Sequence, residues 1–186
     1  MQREIRKTDE ELIRLAQEED KSATDELCVR YLWLVRRHAR RFFLLGGETE
    51  DLIQEGMLGL YVAVREYKRD CHSSFKNFAS LCILRRIIDA VKKAASKKNL
   101  PLNSYASLEE WDLGVEFNPE AALIAQDEKV ELNQKMSLVL SDFEFKVMTM
   151  YIDGMTTAEI CEATGKSMKS VDNAVQRSKK KLQEIL

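Results

Sequence analysis

Hydrophobic positions recur at helical spacing along most of this chain, and the pattern predicts an all-α protein. A capping box formed by Thr8 and Glu11 opens a short first helix, which Lys21 and Ser22 are expected to end. A longer second helix follows to about residue 43, with Gly46 and Gly47 beyond its end. Its predicted buried stripe is Leu27, Tyr31, Leu34, Val35, His38 and Phe42, where the histidine is read as a packing residue.

Two further helices are predicted in the middle of the chain. Thr49 is expected to cap the third, whose buried positions would be Ile53, Met57, Leu60, Tyr61 and Val64. Gly56 and Gly59 lie inside this helix although each costs about 1 kcal/mol relative to alanine, so we expect a neighbouring backbone to approach closely. A fourth helix is predicted from about Ser74 to Lys97. Its apolar side would be Phe75, Phe78, Leu81, Cys82, Ile87, Ile88 and Val91.

The polar residues of this central stretch form two kinds of surface. An acidic and polar patch begins the third helix, opposite its predicted buried side: Asp51, Gln54 and Glu55. Downstream, aromatic and basic residues alternate, and the fourth helix ends strongly positive. These residues are Tyr67, Lys68, Arg69, Phe75, Lys76 and Phe78. Rings that stack on bases and cations that follow a phosphate backbone suit an unpaired nucleic-acid strand. The same spacing also fits rings buried in a core beside solvated charges.

The last third of the chain predicts a helix-turn-helix. Residues 101–118 are read as a linker, and Asn118 with Pro119 as the start of a helix to about residue 139. Capping boxes at Ser141 and Thr156 open two more helices, and Gly165 precedes a final long one. Its outward residues are Lys169, Ser170, Asp172, Asn173, Gln176 and Arg177, with Lys166, Lys179, Lys180 and Lys181 as phosphate contacts. A plain three-helix packing unit is the alternative.

Composition narrows the function class. The chain has a net charge of −2, which at first argues against binding to nucleic acid. This value is an average, however, because the negative charge of residues 107–131 offsets the positive charge of two basic surfaces. We expect no signal peptide, no membrane span and a cytoplasmic location. The scattered cysteines (Cys28, Cys71, Cys82 and Cys161) fit neither a disulfide framework nor a metal site. With two histidines that lack a nucleophile partner and no phosphate loop, we expect no cofactor, no metal, no catalytic residue and no enzyme.

The strings EDLIQEGMLGLYVAV (50–64), SFKNFASLCILRRIIDAVKKA (74–94) and LPLNSY (100–105), followed by the helix-turn-helix, carry a resemblance. The chain resembles the bacterial RNA polymerase sigma factors of the sigma-70 superfamily, and within it the small alternative factors of sporulation and stationary phase. The resemblance implies two helical domains: region 2 at residues 1–100 and region 4 at 119–186, joined by an acidic linker at 101–118. It also implies an alternative sigma factor that binds core RNA polymerase and directs promoter-specific initiation.

The resemblance further implies residue roles and partners. Asp51, Gln54 and Glu55 match the face that binds the clamp helices of the polymerase β′ subunit, and the β flap is a second expected contact. The residues matched to recognition and melting of the −10 element are Tyr67, Lys68, Arg69, Phe75, Lys76, Phe78, Arg85, Ile88 and Asp89. Those matched to the −35 element are Lys169, Ser170, Asn173, Gln176, Arg177 and Lys180. Promoter DNA is thus an expected partner, and an anti-sigma factor is a further candidate.

One departure and two alternatives remain. Primary sigma factors carry a tryptophan pair where this chain has Leu81 and Cys82, which implies weaker unaided melting and a need for a good promoter. A self-standing helix-turn-helix regulator with an N-terminal sensor or dimerisation domain is the second hypothesis, and a helical adaptor without DNA function is the third. We also expect the free protein to pack its domains together, with residues 107–131 partly masking the basic faces.

Overall fold

The computed structural model describes residues 7–42, 49–68, 73–97, 133–134 and 136–184, and the regular elements among them are helices. The helices are α1 (Asp9–Gln17), α2 (Lys21–Arg40), α3 (Thr49–Glu66), α4 (Phe75–Lys97), α5 (Asp142–Ile152), α6 (Thr157–Thr164) and α7 (Met168–Gln183). The all-α prediction is therefore confirmed. The acidic linker, and most of the helix expected from Glu120, lie outside the described residues, although 133–134 and 136–139 are helical.

The boundary between α1 and α2 lies earlier than predicted. The α1 helix ends at Gln17, Glu19 has a φ of 68°, and the Asp20 side chain accepts a 3.1 Å hydrogen bond from the Ala23 amide. An aspartate in this capping position satisfies an amide that the new helix leaves without a partner. Lys21 is thus the first residue of α2, so the predicted break at Lys21 and Ser22 is wrong.

Helices α1 to α4 share one hydrophobic core, the N-terminal domain. The side chains of Leu12, Leu27, Leu60, Ile83 and Ile87 are completely buried in it. The prediction for α2 is confirmed, since all six residues of its stripe are buried. The core therefore fixes the relative positions of α3 and α4, the two helices that carry the first set of functional candidates.

The contact between α3 and α4 depends on Gly59. A Cβ atom built there would lie 2.7 Å from the carbonyl oxygen of Cys82 and 2.9 Å from the Cα of Ile83. At Gly56 a Cβ would meet side chains, with Val35 Cγ1 at 2.8 Å. The expected close approach of a neighbouring backbone is thus confirmed.

The buried face of α3 is rotated toward these glycines. Leu52, Leu60, Ala63 and Val64 are buried with the glycines, whereas Tyr61 is 44% exposed. The prediction that Tyr61 is buried is wrong. It missed that two glycines, rather than the larger side chains, face α4.

His38 is a packing residue, as expected. Its Nε2 atom is 2.8 Å from the Ser80 hydroxyl, and the side chain is buried. Burial, together with the charges of Arg41 and Arg37, lowers the pKa of His38 to about 4. The imidazole is therefore neutral at physiological pH, and it joins α2 to α4 without adding charge to the core.

Helices α5 to α7 form the C-terminal domain around two small clusters. Met136, Leu140, Met148 and Leu182 make one, and Val147, Ile160, Val171, Ala174 and Val175 make the other. Gly165 has a φ of 68° and its amide bonds to the Cys161 carbonyl at 2.8 Å. This left-handed cap turns the chain from α6 into α7, which is the predicted helix-turn-helix.

Candidate nucleic-acid and partner interfaces

The acidic start of α3 is exposed, and one of its three predicted residues forms an ion pair with α4. Asp51 and Gln54 are exposed. The Glu55 carboxylate instead accepts a 2.8 Å hydrogen bond from Arg86 Nε on α4. Because Glu55 braces α3 against α4, Asp51 and Gln54 are the members of the predicted set that point freely outward.

An apolar strip continues this face along α3. Leu58, Tyr61 and Val62 are 50%, 44% and 42% exposed, and they follow Gln54 at helical spacing. The Arg65 guanidinium lies 5.9 Å from the centroid of the Tyr61 ring. The sequence reasoning missed this strip because Tyr61 was assigned to the core. The sequence feature that could have predicted it is the helical spacing of Leu58, Tyr61 and Val62 after the polar residue Gln54.

The predicted strand-capturing aromatics form one cluster at the junction of α3 and α4. The Phe75 ring is edge-on to Tyr31 and Tyr67, with centroids 5.1 and 5.3 Å away, and Phe78 lies 5.7 Å from Tyr67. Tyr67 and Phe78 are half-buried, whereas Phe75 is only 6% exposed. In this structure Phe75 therefore supports the cluster from behind, and the rings at the surface are Tyr67 and Phe78.

Hydrogen bonds fix the backbone beside this cluster. The Tyr67 hydroxyl donates to the carbonyl of Ser73 at 3.0 Å. Gln17 of α1 donates through Nε2 to the carbonyls of Val64, at 3.0 Å, and Tyr67, at 2.8 Å. A side chain from α1 thus satisfies carbonyls that the end of α3 leaves open.

Cations lie next to the cluster's aromatic residues in sequence, and one of them contacts a further aromatic residue. Lys68 and Lys76 are exposed, while Arg69 lies outside the described residues. The Lys76 ammonium is 5.2 Å from the centroid of the Trp33 ring on α2. Trp33 is 36% exposed, and sequence reasoning did not single it out because it falls within an otherwise ordinary amphipathic helix.

The outer face of α4 is polar and basic. Arg85, Arg86, Asp89 and Lys93 are exposed. Ile88 is 3% exposed and packs in the core, because it falls on the same helical face as Leu84 and Val91. Direct contact with DNA by Ile88 is therefore not what this structure shows, and Arg85 and Asp89 are the predicted residues that face outward.

Helix α7, the second helix of the helix-turn-helix, presents most of the predicted polar set to solvent. Its exposed members are Lys169, Asp172, Asn173, Gln176, Arg177 and Lys180. Ser170 is half-buried, with its amide bonded to the capping hydroxyl of Ser167 at 3.3 Å. Met168, at the first position of the helix, is 53% exposed. It was not among the predicted outward residues, although the sequence shows that it directly follows the Ser167 cap.

A buried carboxylate holds two cations of α7 against α5. Glu144 is 4% exposed, and it accepts hydrogen bonds from Arg177 Nε at 3.1 Å and Lys181 Nζ at 2.7 Å. The Lys181 contact is the largest cause that lowers the pKa of Glu144, to about 2, with Ser141 and Arg177 also contributing. Lys179 in turn bonds the Tyr151 hydroxyl at 3.1 Å. The predicted phosphate role thus fits the exposed lysines at 166 and 180 rather than those at 179 and 181.

Other chemistry finds little support in the part of the chain that the structure describes. There, no group of histidine, cysteine and acidic residues is arranged to hold a metal ion. Burial raises the pKa of the Cys28 and Cys82 thiols, which disfavours the reactive thiolate. Within the same residues, no helix is long and apolar enough to cross a membrane.

Comparisons with known proteins agree with this architecture. The family profile of Sigma-70 region 2 matches residues 27–97, and that of Sigma-70, region 4 matches residues 134–182. The RNA polymerase sigma-H factor of Bacillus subtilis is 42% identical over 96% of this chain and 88% of its own length. The sigma-H factor of Bacillus licheniformis is also 42% identical, over 96% of this chain and 86% of its own. The RNA polymerase sigma factor FliA of Pseudomonas aeruginosa is 35% identical over 39% of this chain.

The chain therefore belongs to the sigma-70 family, and it is an alternative sigma factor that directs transcription initiation.

Proposed function

We propose that the protein binds core RNA polymerase through the exposed face of α3, and reads a promoter with one surface on each domain. The N-terminal domain takes the −10 element and the C-terminal domain the −35 element, and the protein itself catalyses no reaction. The observation that carries the proposal is the pair of separate polar and basic faces on α4 and α7, beside an α3 face of different chemistry.

The α3 face suits a helical protein partner. Asp51 and Gln54 offer short polar groups, and Leu58, Tyr61 and Val62 follow as an apolar strip at helical spacing. Such a strip, bordered by polar groups, is the form in which one helix docks against another. We assign this face to the clamp helices of the β′ subunit, with Glu55 holding α3 in place through Arg86.

Replacing both Asp51 and Gln54 by alanine is expected to weaken binding to core RNA polymerase about tenfold or more, because two polar contacts are lost from the rim of an otherwise intact apolar strip. Both side chains are exposed, so the fold is expected to persist. Affinity would be measured by titrating the labelled full-length protein with purified core enzyme.

The matched control is the double substitution Ser22→Ala and Asp25→Ala. It also removes one carboxylate and one neutral polar group three residues apart, on exposed positions of α2. Its affinity should equal that of the wild type. Wild-type protein that fails to bind core enzyme but binds specific duplex DNA alone would overturn the proposal in favour of a self-standing regulator.

Capture of the melted −10 strand is assigned to the aromatic cluster. The half-buried rings of Tyr67 and Phe78 can stack on extruded bases, at about 1–3 kcal/mol per base, which offsets the cost of unpairing. Lys68, next to Tyr67 in sequence, and Lys76, over the Trp33 ring, are exposed and available for the phosphates. Leu81 and Cys82 are half-buried on α4 and offer no large ring, so melting should depend on polymerase and on a good promoter.

Reading of the −35 element is assigned to α7. Asn173 and Gln176 can pair with adenine edges. Arg177 can pair with guanine through its terminal amino groups, since its hydrogen bond to Glu144 uses the Nε atom. Met168 and Lys169 stand at the start of the helix, the part that enters the major groove in this motif, where a methionine can contact thymine methyl groups. Exposed Lys180 is suited to a phosphate, which sets position without reading sequence.

Gln176→Ala and Lys180→Ala should have different effects on the polymerase complex. The first should relax selection at one base pair of a library randomised across the −35 element, at a cost of about 1–3 kcal/mol for the preferred base. The second should weaken binding to every sequence and reduce the slope of affinity against salt by about one. Equal selection profiles for wild type and Gln176→Ala would remove Gln176 from the reading set.

The remaining assignments rest on the resemblance to sigma factors. We propose domain boundaries at 1–100, 101–118 and 119–186, cytoplasmic action beside the polymerase, and a role in stationary phase or sporulation. Two relatives that cover most of this chain are sigma-H factors. The β flap and an anti-sigma factor are proposed as further partners.

A further inference from the structure

The two domains meet where α2 ends, and Arg40 is the centre of the contact. Its Nη1 atom donates hydrogen bonds to the carbonyls of Tyr151, at 2.7 Å, and Met155, at 2.6 Å. Its guanidinium carbon lies 3.9 Å from the centroid of the Tyr151 ring. Arg40 is 8% exposed, so this cation has left water for a site on the other domain.

The partner surface suits a cation. The Tyr151 carbonyl belongs to the last turn of α5, the helix end that carries partial negative charge. Glu159, in the first turn of α6, is close enough that Arg36 and Arg40 help to lower the pKa of its carboxyl group, after the larger effect of its bonds to Thr156. The turn between α5 and α6 is thus an electrostatic match for the basic end of α2.

The backbones also touch at this contact. Gly154 is buried with a φ of 94°, and a Cβ atom there would lie 2.4 Å from the carbonyl oxygen of Trp33. It would also lie 3.3 Å from the Arg37 amide nitrogen. Only glycine allows the turn to lie this close to α2, so the interface combines shape with the Arg40 bonds.

We propose that the segment of α2 from Trp33 to Arg40 is a docking site for the C-terminal domain, occupied in the free protein and vacated when both domains bind a promoter. The occupant is the α5–α6 turn of the same chain, residues Tyr151 to Glu159. This inference rests on the proposed function, because the need to vacate the site comes from reading two promoter elements.

The distance between the two promoter elements explains why the docking site must be vacated. The two elements lie about 25 base pairs apart by their names, which at 3.4 Å per base pair is roughly 80 Å. A folded domain of about 100 residues has a radius of gyration of only about 13 Å. Two domains in direct contact therefore cannot reach both elements together, so the Arg40 contact must break before the promoter complex forms.

Docking does not cover the reading helix itself. Lys169, Asn173, Gln176 and Lys180 remain exposed while the domains are in contact. The docked state should therefore leave binding of an isolated −35 duplex unchanged, and should oppose only the spread arrangement. This separates a docking site from simple masking of the DNA surface. The predicted masking by residues 107–131 falls outside the described residues.

The test compares domain separation in the full-length chain by energy transfer between dyes on unnatural amino acids at Asp25 and Glu162, both exposed and one on each domain. Free wild type should show high transfer, and Arg40→Ala should lower it severalfold. Arg14→Ala, which removes an exposed arginine from α1, should match wild type. If circular dichroism shows that Arg40→Ala does not fold, Arg40→Gln is used in its place, because glutamine keeps most of the side-chain stem.

Two results would overturn the proposal: equal transfer in free wild type and Arg40→Ala, or high transfer retained by wild-type protein that is bound to core polymerase and promoter DNA. The free-state comparison needs neither polymerase nor DNA, so its failure is distinct from failure of the proposed function. Failure of the proposed function would instead appear as wild-type protein that does not bind core enzyme at all.

Discussion

Replacing Gly59 by alanine will destabilise the N-terminal domain by about 2 kcal/mol, because the new methyl group has no room. A Cβ at this position lies 2.7 Å from the Cys82 carbonyl oxygen and 2.9 Å from the Ile83 Cα, and both are backbone atoms of α4. Alanine gains about 1 kcal/mol in helix propensity, but the clash with two backbone atoms is expected to cost about 3 kcal/mol, at the upper end of the range for overpacking. Thermal unfolding should shift down by about 8–16 °C, measured by circular dichroism.

Gly56→Ala is the matched comparison on the same helix. Its Cβ would meet Val35 Cγ1 at 2.8 Å and Ile87 Cδ1 at 3.2 Å, which are side-chain atoms of two fully buried residues rather than backbone atoms of α4. A side chain can shift more easily than a helix backbone, and the same propensity gain offsets part of the crowding, so we expect a smaller loss of stability than at Gly59. Equal losses at the two glycines would mean that α4 shifts freely relative to α3.

Most of the helices, and three of their caps, could be predicted from sequence because those signals are local. Capping boxes at Thr8, Ser141 and Thr156 are present as predicted, each with its glutamate three residues later. The glycines of α3 gave a correct expectation of backbone contact, since an interior glycine is costly without one. The helix-turn-helix likewise followed from spacing, with Gly165 in the left-handed conformation.

What the sequence did not predict depends on which neighbour each side chain meets. Helical spacing could not tell that Tyr61 is exposed, because that depends on the angle at which α4 crosses α3. Lys181 read as a surface charge, yet it bonds Glu144, which lies 37 residues away in sequence. Arg40 meets the other domain more than a hundred residues later. Long-range pairs of this kind leave no periodic signal.

The Glu144 pair makes a second prediction, on acid stability of the C-terminal domain. The folded pKa of Glu144 is about 2 against an ordinary value of 4.5, so its carboxylate stabilises the fold above pH 4.5 and loses that effect as the pH falls toward 2. A shift of this size corresponds to about 3 kcal/mol. Glu144→Gln can still accept the Ser141 amide bond, so it removes the charge while it keeps the cap.

We therefore expect Glu144→Gln to lower the unfolding free energy by about 3 kcal/mol at pH 7, with the gap to wild type closing as the pH falls toward 2. Hydrogen exchange of α5 and α7 in urea would measure it domain by domain. Glu162→Gln, an exposed change on α6, should leave the unfolding free energy equal to that of the wild type at every pH. Other carboxylates are common to both proteins and cancel in the difference. A gap that is the same at pH 7 and pH 3 would mean that Glu144 holds α7 through shape and neutral hydrogen bonds, because only a charge interaction disappears when the carboxylate is protonated.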